Sequence, residues 1–240
     1  MDEDDPDLEQ PEATETTTAE ELEHFLNSVA PKLSNDTDIV NKENVCQMIS
    51  KLNPDQRRIF DDIMERLTRI TTPDEIAQQF YLYIGGRAGT GKTFLLKVLI
   101  EAAKLVLMKS GDDLNKPNVL VISPTASAAR LINGDTIEGA MGFSRNNDSE
   151  TFQVHSNNAT TAHKYSQVKV IFIDEISMVG SNKLHAIHER LEQIFGKNDL
   201  DFAGLSIICT GDFLQLKPVL DSMIYLNNGK NKNKTCNSTK

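Results

Sequence analysis

The chain has 240 residues, of which 39% are hydrophobic and 25% are charged, and its formal net charge is −10. These values are ordinary for a globular protein and exclude a chain that is disordered or fibrous throughout. Every window of eighteen residues contains a charged side chain, which excludes a typical transmembrane helix. The three cysteines (Cys46, Cys209 and Cys236) are too few and too scattered for a disulfide framework or a zinc site, so we expect a reducing environment.

The negative charge is concentrated at the N-terminus. Residues 1–23 contain eleven Asp and Glu and no Lys or Arg, so the remaining residues carry a formal charge of +1. Such a block predicts a disordered tail, which could imitate DNA or bind a basic partner but in most proteins only solvates the chain. An acidic start is also unlike a signal or transit peptide. We therefore expect an intracellular protein, nuclear in the first instance, with mitochondrial and cytoplasmic locations as alternatives.

Residues 24–50 are weakly patterned and predict a linker with room for one short helix. The first strong pattern is a helix that begins after Asn53. Asn53 suits the N-cap and Pro54 the first helical position, and apolar residues then recur at steps of three and four up to Ile70.

Four short apolar runs follow, at residues 80–84, 119–122, 168–173 and 205–210. Hydrophobic and polar residues do not alternate cleanly in these runs, as expected for strands that are buried on both faces of a parallel sheet. Helical patterns lie between them, and this alternation predicts a three-layer α/β fold. These helical patterns cover residues 93–108, 126–132 and 183–195.

Two segments depart from this alternation of strands and helices. The polar stretch 145–163 predicts a surface excursion. Residues 227–240, rich in Asn and Lys, predict an unstructured end.

Residues 86–93 match the phosphate-loop pattern G-x-x-x-x-G-K-[ST] in full, at a predicted strand-to-helix junction. Glycines let backbone N–H groups curl around phosphate oxygens, and the following helix adds its positive end. Lys92 can reach the β- and γ-phosphates, and the Thr93 hydroxyl can bind Mg²⁺. The predicted nucleotide-binding residues of this loop are Gly86, Gly89, Thr90, Gly91, Lys92 and Thr93.

Two carboxylates, Asp174 and Glu175, directly follow the third apolar run. Ligands bind at the carboxyl ends of the strands in open α/β sheets. Asp174 would hold Mg²⁺ together with Thr93, and Glu175 would orient or deprotonate the attacking water. An Asp in this place can also be only a helix cap, but the phosphate loop in the same chain favours the metal role.

Two glutamines have both a functional and a structural interpretation. Gln215 follows the fourth run and could sense the γ-phosphate or position water, or belong to a plain turn with Gly211 and Asp212. Gln56 lies three residues after Asn53, where a capping-box partner belongs. Its amide could instead recognise adenine, because it both donates and accepts hydrogen bonds.

Five segments together resemble the motifs of one family, the petite-integration-frequency (PIF-type) DNA helicases, which are related to RecD and belong to helicase superfamily one. They lie in the family's order between residues 50 and 220, and they are LNPDQRRIFDDI, GGRAGTGKTF, SPTASAARLINGDTI, IFIDEISMV and GDFLQLKPV. The resemblance implies a RecA-like P-loop domain over residues 51–226. It implies the first motor domain of an ATP-dependent 5′–3′ DNA helicase, with ATP and Mg²⁺ as cofactors and single-stranded DNA as partner.

The resemblance also implies roles for individual residues. Gln56 would recognise adenine, Lys92 and Thr93 would hold phosphates and Mg²⁺, residues 174–175 would serve the metal and the water, and Gln215 would couple the nucleotide to DNA. Cellular roles in DNA repair, recombination or telomere maintenance are implied in the same way.

The DNA-binding residues implied by the resemblance are Pro124, Thr125 and Thr136. Without the resemblance, these three residues indicate only a loop and a helix start, although small polar side chains are common phosphate contacts. Glu138 stands where the family usually has His, so we expect its charge to repel DNA phosphate. Lys217 replaces the first of two prolines, which is a smaller departure.

The matching motifs end with the third helicase motif, so the sequence lacks the family's second motor domain and its arginine finger. We therefore expect a truncated first motor domain that binds ATP weakly and hydrolyses it very slowly alone, with a second motor domain in trans as a partner. A non-catalytic fragment that binds nucleotide or a partner is the alternative. A GTPase is disfavoured because the segments 115–118 and 182–185 lack the Asp of N-K-x-D.

A last cluster of polar residues lies within the predicted helix 183–195. His185 and His188 lie three residues apart, and Glu189 and Glu192 each follow one of them by four residues. They indicate a solvated helix face more than a metal site.

Overall fold

The structure, a computed structural model, describes residues 36–71, 79–109, 111–145, 152–154 and 158–225. The predicted acidic tail, 1–23, and the predicted unstructured end, 227–240, lie outside these ranges. None of the helices in the described ranges is both long enough and apolar enough to cross a membrane.

A five-stranded parallel sheet lies at the centre of the described residues. Its strands are β1 (Tyr81–Gly85), β2 (Val119–Ser123), β3 (Asp135–Thr136), β6 (Val170–Ile173) and β7 (Ser206–Gly211). They have the order β1-β7-β6-β2-β3. The strands β2 and β6 are buried along their whole length, as their unbroken apolar sequences predict. Two further strands, β4 (Phe143–Arg145) and β5 (Phe152–Val154), form a separate antiparallel pair.

Helices cover both faces of the sheet. They are α1 (Asp36–Ile49), α2 (Pro54–Thr71), α3 (Lys92–Leu107), α4 (Ala126–Leu131), α5 (Ile137–Met141), α6 (Asn158–Lys164) and α7 (Ser181–Phe195). Short 3-10 turns occupy Ile176–Met178 and Asp201–Gly204. The core on one side of the sheet is formed with α1, α2 and α3, and the core on the other side with α5 and α7. The predicted three-layer α/β architecture is confirmed.

The predicted strands and the three predicted interstrand helices occur within two residues of their expected bounds. The helix start at Asn53 is also confirmed, because the Asn53 Oδ1 accepts the N–H of Gln56 at 2.9 Å. Both signals are local: an apolar run of strand length and a capping side chain specify their elements without distant partners.

The expected linker at 24–50 differs from the structure in its second half. Helix α1 covers residues 36–49, and its Val45 and Ile49 are buried against α2 and α3. The folded domain therefore begins before residue 51. In the part of α1 whose side chains the structure describes, 42–49, few positions are buried, so few of them need to be apolar.

The expected surface excursion, residues 145–163, also contains structure. Strand β5 and helix α6 lie inside it, and α6 is tied to the domain by Arg190 of α7. The buried guanidinium of Arg190 donates to the carbonyl of Met141 at 2.9 Å and to Asn158 Oδ1 at 2.5 Å. This contact joins residues that are more than thirty positions apart, which explains why the polar sequence of α6 did not predict it.

Candidate nucleotide site and DNA-facing edge

The predicted site residues meet at one edge of the sheet. Parallel pairing aligns Gly85 with Gly211, Ile173 with Cys209, and Ser123 with Thr136. The carboxyl ends of all five strands therefore face the same side, as expected for the ligand-binding edge of an open α/β sheet. The phosphate loop, the carboxylates 174–175 and the segment 211–215 each continue from a strand at this edge.

The phosphate loop connects β1 to α3 and is largely exposed. Gly89 and Gly91 have φ values of 81° and 79°, which side chains rarely tolerate. The Lys92 ammonium donates to the carbonyl oxygen of Gly86 and, at 2.9 Å, to that of Arg87. Lys92 is thus held inside its own loop, and a bound triphosphate would have to replace two carbonyl acceptors with phosphate oxygens.

Asp174 is 8% exposed and is oriented by two donors. Its Oδ1 accepts the Thr210 hydroxyl at 2.6 Å and the N–H of Glu175 at 2.9 Å. No group among the described residues donates to its Oδ2. A fixed carboxylate with one free oxygen is the donor that a cation at this edge would need.

Glu175 has an unusual backbone and an unusual environment. Its φ is 52° and its ψ 44°, a left-handed conformation that is uncommon for a residue other than glycine and that often occurs at functional sites. Burial raises the pKa of Glu175, the charge of Asp174 raises it further, and the ammonium of Lys92 partly offsets both. The influence of Lys92 shows that the phosphate loop and the acidic pair lie within electrostatic range of each other.

Asp212 and Gln215 form a closed turn after β7. Asp212 accepts the N–H of Leu214 at 3.0 Å through Oδ1 and the amide of Gln215 at 3.0 Å through Oδ2. These two hydrogen bonds lower the pKa of Asp212, and the charges of Lys92 and Arg87 lower it further. The turn interpretation of this segment is confirmed, and the sensor role of Gln215 stays a prediction.

Gln56 makes both halves of a capping box with Asn53. Its N–H donates to Asn53 Oδ1 at 2.9 Å, and its Oε1 accepts the N–H of Asn53 at 3.1 Å. In addition, its Nε2 donates to the carbonyl oxygens of Thr90 at 3.2 Å and Gly91 at 3.5 Å. The capping interpretation is confirmed, whereas the contact with the phosphate loop was missed because no local pattern connects residues 34 positions apart.

Thr125 and Thr136, which the resemblance places near DNA, both serve as N-caps. Thr125 accepts the N–H of Ala128 at 3.3 Å at the start of α4, and Thr136 accepts the N–H of Gly139 at 3.1 Å at the start of α5. Pro124 precedes the first of these caps and is half-buried. Their structural role is therefore established, and contact with DNA stays a prediction.

The charge of Glu138 is paired, contrary to the repulsion expected from the sequence alone. Glu138 Oε1 lies 2.6 Å from Lys183 Nζ, and the side chains are 41% and 17% exposed. Lys183 belongs to α7, and the sequence separation of 45 residues hid this partner. The edge near Thr136 consequently carries an ion pair instead of an isolated negative charge.

His185 and His188 are not arranged as metal ligands. Each lies 3.4 Å from the Glu four residues later, and His188 Nδ1 accepts the N–H of Phe202 at 3.0 Å. In the described ranges, no group of three His, Cys, Asp or Glu side chains converges on a point where a metal could bind. The helix-face interpretation is the better one, with His188 fastening the 3-10 turn that precedes β7.

Comparison with known proteins adds independent evidence. The ATP-dependent DNA helicase RRM3 of Saccharomyces cerevisiae is 32% identical over 174 residues, which cover 70% of this chain and 21% of RRM3. The ATP-dependent DNA helicase PIF1 of Emericella nidulans is 29% identical over 140 residues, which cover 58% of this chain and 18% of that protein. The chain thus spans about a fifth of the length of these curated relatives.

Solved structures agree with the sequence relatives. The crystal structure of Bacteroides Pif1 helicase in complex with ADP-AlF3 and single-stranded DNA has a TM-score of 0.52 to this chain and is 27% identical. The match covers 70% of this chain and 34% of that one. The shared part includes the parallel sheet and its helices, so the fold is the RecA-like P-loop fold of a helicase motor domain.

A family model described as PIF1-like helicase matches residues 51–236, which is more than half of the chain. The match spans the phosphate loop, the acidic pair and the turn after β7. Together with the relatives and the shared motor-domain fold, this establishes that the chain belongs to the PIF1-like helicase family.

Proposed function

We propose that this chain is the first motor domain of an ATP-dependent DNA helicase that moves 5′ to 3′ on single-stranded DNA. One observation carries the proposal: the phosphate loop, the acidic pair and the Asp212 turn follow three neighbouring parallel strands, β1, β6 and β7, and therefore lie at the same carboxyl edge of the sheet. ATP hydrolysis needs these three parts close together: a loop for the phosphates, an acidic pair for metal and water, and a third polar segment.

In this proposal, each residue at the nucleotide site has a chemical role. The N–H groups of residues 86–93 and the Lys92 ammonium bind the phosphates. Glu175 accepts the proton of the attacking water, a role that its raised pKa suits. The amide of Gln215 donates a hydrogen bond to Asp212. Gln215 senses the γ-phosphate by exchanging this hydrogen bond for one to the phosphate.

Mg²⁺ fits the proposed site. The hydroxyl of Thr93 and the free Oδ2 of Asp174 would hold the ion, and the nucleotide and water would supply its other oxygen ligands, which is the usual way that proteins bind magnesium. The ion would neutralise charge that develops on the phosphates. Thr210 and the N–H of Glu175 hold Asp174 in the required orientation through Oδ1.

The proposal extends to DNA and to a second motor domain. Pro124, Thr125 and Thr136 would lie along the DNA backbone, which the solved Bacteroides complex supports through its bound single-stranded DNA. Exposed apolar side chains follow the Asp212 turn, an arrangement that suits a protein surface covered by a partner; these are Leu214, Leu216, Val219 and Leu220. A second motor domain supplied in trans would bind there.

The cellular side of the proposal follows from the family alone. We place the chain in the nucleus, with tasks in DNA repair, recombination or telomere maintenance. Its support is the similarity to RRM3 and PIF1, whose names describe ATP-dependent DNA helicases.

The proposal is tested by measuring Mg²⁺-ATP binding by titration calorimetry for the wild type and Lys92→Ala. Loss of the ammonium should weaken binding by at least about tenfold, because hydrogen bonds to charged groups are among the strongest in proteins. Lys104→Ala, in the same helix but paired with Glu101 on the surface, is the matched control and should bind as the wild type. Equal affinities for the wild type and Lys92→Ala would refute a nucleotide site in this loop.

A further inference from the structure

The side chain of Gln56 connects the start of α2 to the phosphate loop. Its Oε1 accepts a hydrogen bond from the N–H of Asn53, and its Nε2 donates to the carbonyl oxygens of Thr90 and Gly91. The two ends of one amide therefore have different partners: one belongs to a helix cap, and the other belongs to the loop that would receive phosphate.

The two carbonyl groups that Gln56 contacts control two N–H groups of the loop. In a planar trans peptide the C=O and N–H bonds point in opposite directions. The carbonyl of Thr90 shares its peptide with the N–H of Gly91, and the carbonyl of Gly91 shares its peptide with the N–H of Lys92. Holding the Thr90 carbonyl on the Gln56 side turns the N–H of Gly91 toward the other side of the loop, where phosphate oxygens would lie. The Gly91 carbonyl also accepts the N–H of Leu95 at 3.0 Å, so Gln56 adds to the orientation that the start of α3 already gives to the N–H of Lys92.

The backbone at Gly91 shows that this contact is closely fitted. A Cβ atom at Gly91 would lie 2.5 Å from Gln56 Nε2, and φ at this position is +79°. The positive φ favours glycine at this position. The short distance shows that the end of the Gln56 side chain lies directly against the backbone of the loop.

We propose that Gln56 is a positioning residue for the phosphate loop, and that it strengthens the binding of any triphosphate whether or not the ligand carries a base. This inference rests on the proposed nucleotide site and deepens it. It differs from adenine recognition, in which Gln56 would act on the base and have no effect on a ligand that lacks one. In this inference the contacts of Gln56 with the loop are kept when phosphate binds, whereas those of Lys92 are replaced.

Inorganic tripolyphosphate with Mg²⁺ separates the two roles, because it has the phosphates of ATP and no base. Calorimetric titrations of Gln56→Met should show affinities for tripolyphosphate and for ATP that fall by the same factor, about five- to tenfold, as expected from loss of the hydrogen bonds between Nε2 and the loop. Gln56→Glu keeps the acceptor for the N–H of Asn53 and removes the donor to the loop, so its affinity should fall at least as far. The matched control is Asn53→Ala, which loses the cap and keeps the loop contact, and it should bind both ligands within about twofold of the wild type.

Each outcome decides for or against the inference. If Gln56→Met binds tripolyphosphate as the wild type does and loses affinity for ATP alone, Gln56 acts on the base and the inference is wrong. If Asn53→Ala loses as much tripolyphosphate affinity as Gln56→Met, the effect passes through the helix cap and the inference is again wrong. A wild type that binds neither ligand overturns the proposed function together with this inference. Should Gln56→Met fail to fold, as judged by circular dichroism, Gln56→Glu gives the deciding comparison through the ratio of its ATP and tripolyphosphate affinities. The added charge repels both ligands alike, so a ratio equal to that of the wild type supports the inference and a fall in ATP affinity alone overturns it.

Discussion

At the scale of single residues, the acidic pair combines two carboxylates in different environments. Asp174 is fixed by two hydrogen bonds to its Oδ1, whereas Glu175 is strained in φ and carries a raised pKa. Two neighbouring carboxylates in such different environments are typical of sites where one acts electrostatically and the other handles a proton. The structure thus favours Asp174 for charge and Glu175 for acid–base work.

We predict that Glu175→Gln retains affinity for Mg²⁺-ATP and reduces turnover at least about a hundredfold, the usual contribution of a general base. A base must be deprotonated, so turnover of the wild type should rise as pH passes through the raised pKa of Glu175. The acid limb of the pH–rate profile should therefore have an apparent pKa above the ordinary Glu pKa of about 4.3. Phosphate release across a pH series checks both statements, with Glu189→Gln on the surface of α7 as control. Turnover by Glu175→Gln equal to that of the wild type would exclude this residue as the base.

We predict that the same substitution, although it slows turnover, stabilises the folded domain at neutral pH. Because the pKa of Glu175 is raised in the folded state, its charge opposes folding at pH values above the unfolded pKa. Glu175→Gln should thus melt at a slightly higher temperature than the wild type at pH 7. The difference should vanish near pH 3, about one unit below the ordinary Glu pKa of about 4.3, where the carboxyl is protonated in both states. Thermal scans by circular dichroism at both pH values measure this, and a lower melting temperature at pH 7 would contradict it.

At the scale of elements, helix α7 contacts both α5 and the segment that follows the Asp212 turn. Near its first turn, Lys183 pairs with Glu138 of α5. Its first N–H groups are capped from outside the helix by Asp221, whose Oδ1 accepts the N–H of Asn182 at 3.2 Å and whose Oδ2 accepts that of Lys183 at 3.1 Å. The segment after the Asp212 turn is thereby fastened to the helix that faces the expected DNA-binding edge.

We predict that the Glu138–Lys183 pair tunes affinity for single-stranded DNA. Lys183→Met leaves the charge of Glu138 without this partner near Thr136 and should weaken binding several-fold. Glu138→Gln should strengthen binding because it removes a negative charge that would repel phosphate. Fluorescence anisotropy with labelled oligo-dT at two salt concentrations measures the affinities. Glu138→Gln should also steepen the salt dependence by about one counterion. Unchanged affinity in both variants would show that this edge lies away from DNA.

We predict that Asp221→Ala destabilises the domain by about 1 kcal/mol, the usual value of an N-cap, which corresponds to a melting temperature lower by about 2–4 °C. The reason is that the N–H groups of Asn182 and Lys183 lose their acceptor. Asp199→Ala, at an exposed position between α7 and β7, is the control for loss of charge alone. Differential scanning calorimetry compares the two, and equal melting temperatures for both variants would show that Asp221 is dispensable as a cap.

At the scale of the whole molecule, the chain corresponds to about a third of the solved Pif1 helicase that it matches. Phosphate-loop enzymes that use an arginine finger gain about 10³–10⁵ in rate from it. We predict that the 240-residue chain alone hydrolyses ATP more slowly than about 1 per second and unwinds no duplex. A malachite-green assay measures the turnover, and adding a second motor domain in trans should raise it. Fast turnover by the isolated chain would contradict the prediction.

The amino-acid sequence by itself determined those features that residues close together in the chain encode. The phosphate loop, the strand-end pair Asp174–Glu175, the capped start of α2 and the buried strands all follow from patterns within about ten positions, since backbone freedom, capping and periodicity are local properties. These patterns were sufficient to predict the α/β fold, and the residues that they propose for the nucleotide site lie at one edge of the sheet.

Only the tertiary structure decided which distant side chains meet. Gln56 contacts the loop 34 residues later, Glu138 finds Lys183 after 45 residues, and Asp221 caps a helix that begins 40 residues before it. Helix α1 became part of the core for the same reason. Hydrogen bonds and ion pairs depend on distances of about 3 Å between atoms, and parallel strands joined by long crossovers set those distances without leaving a trace in the local sequence.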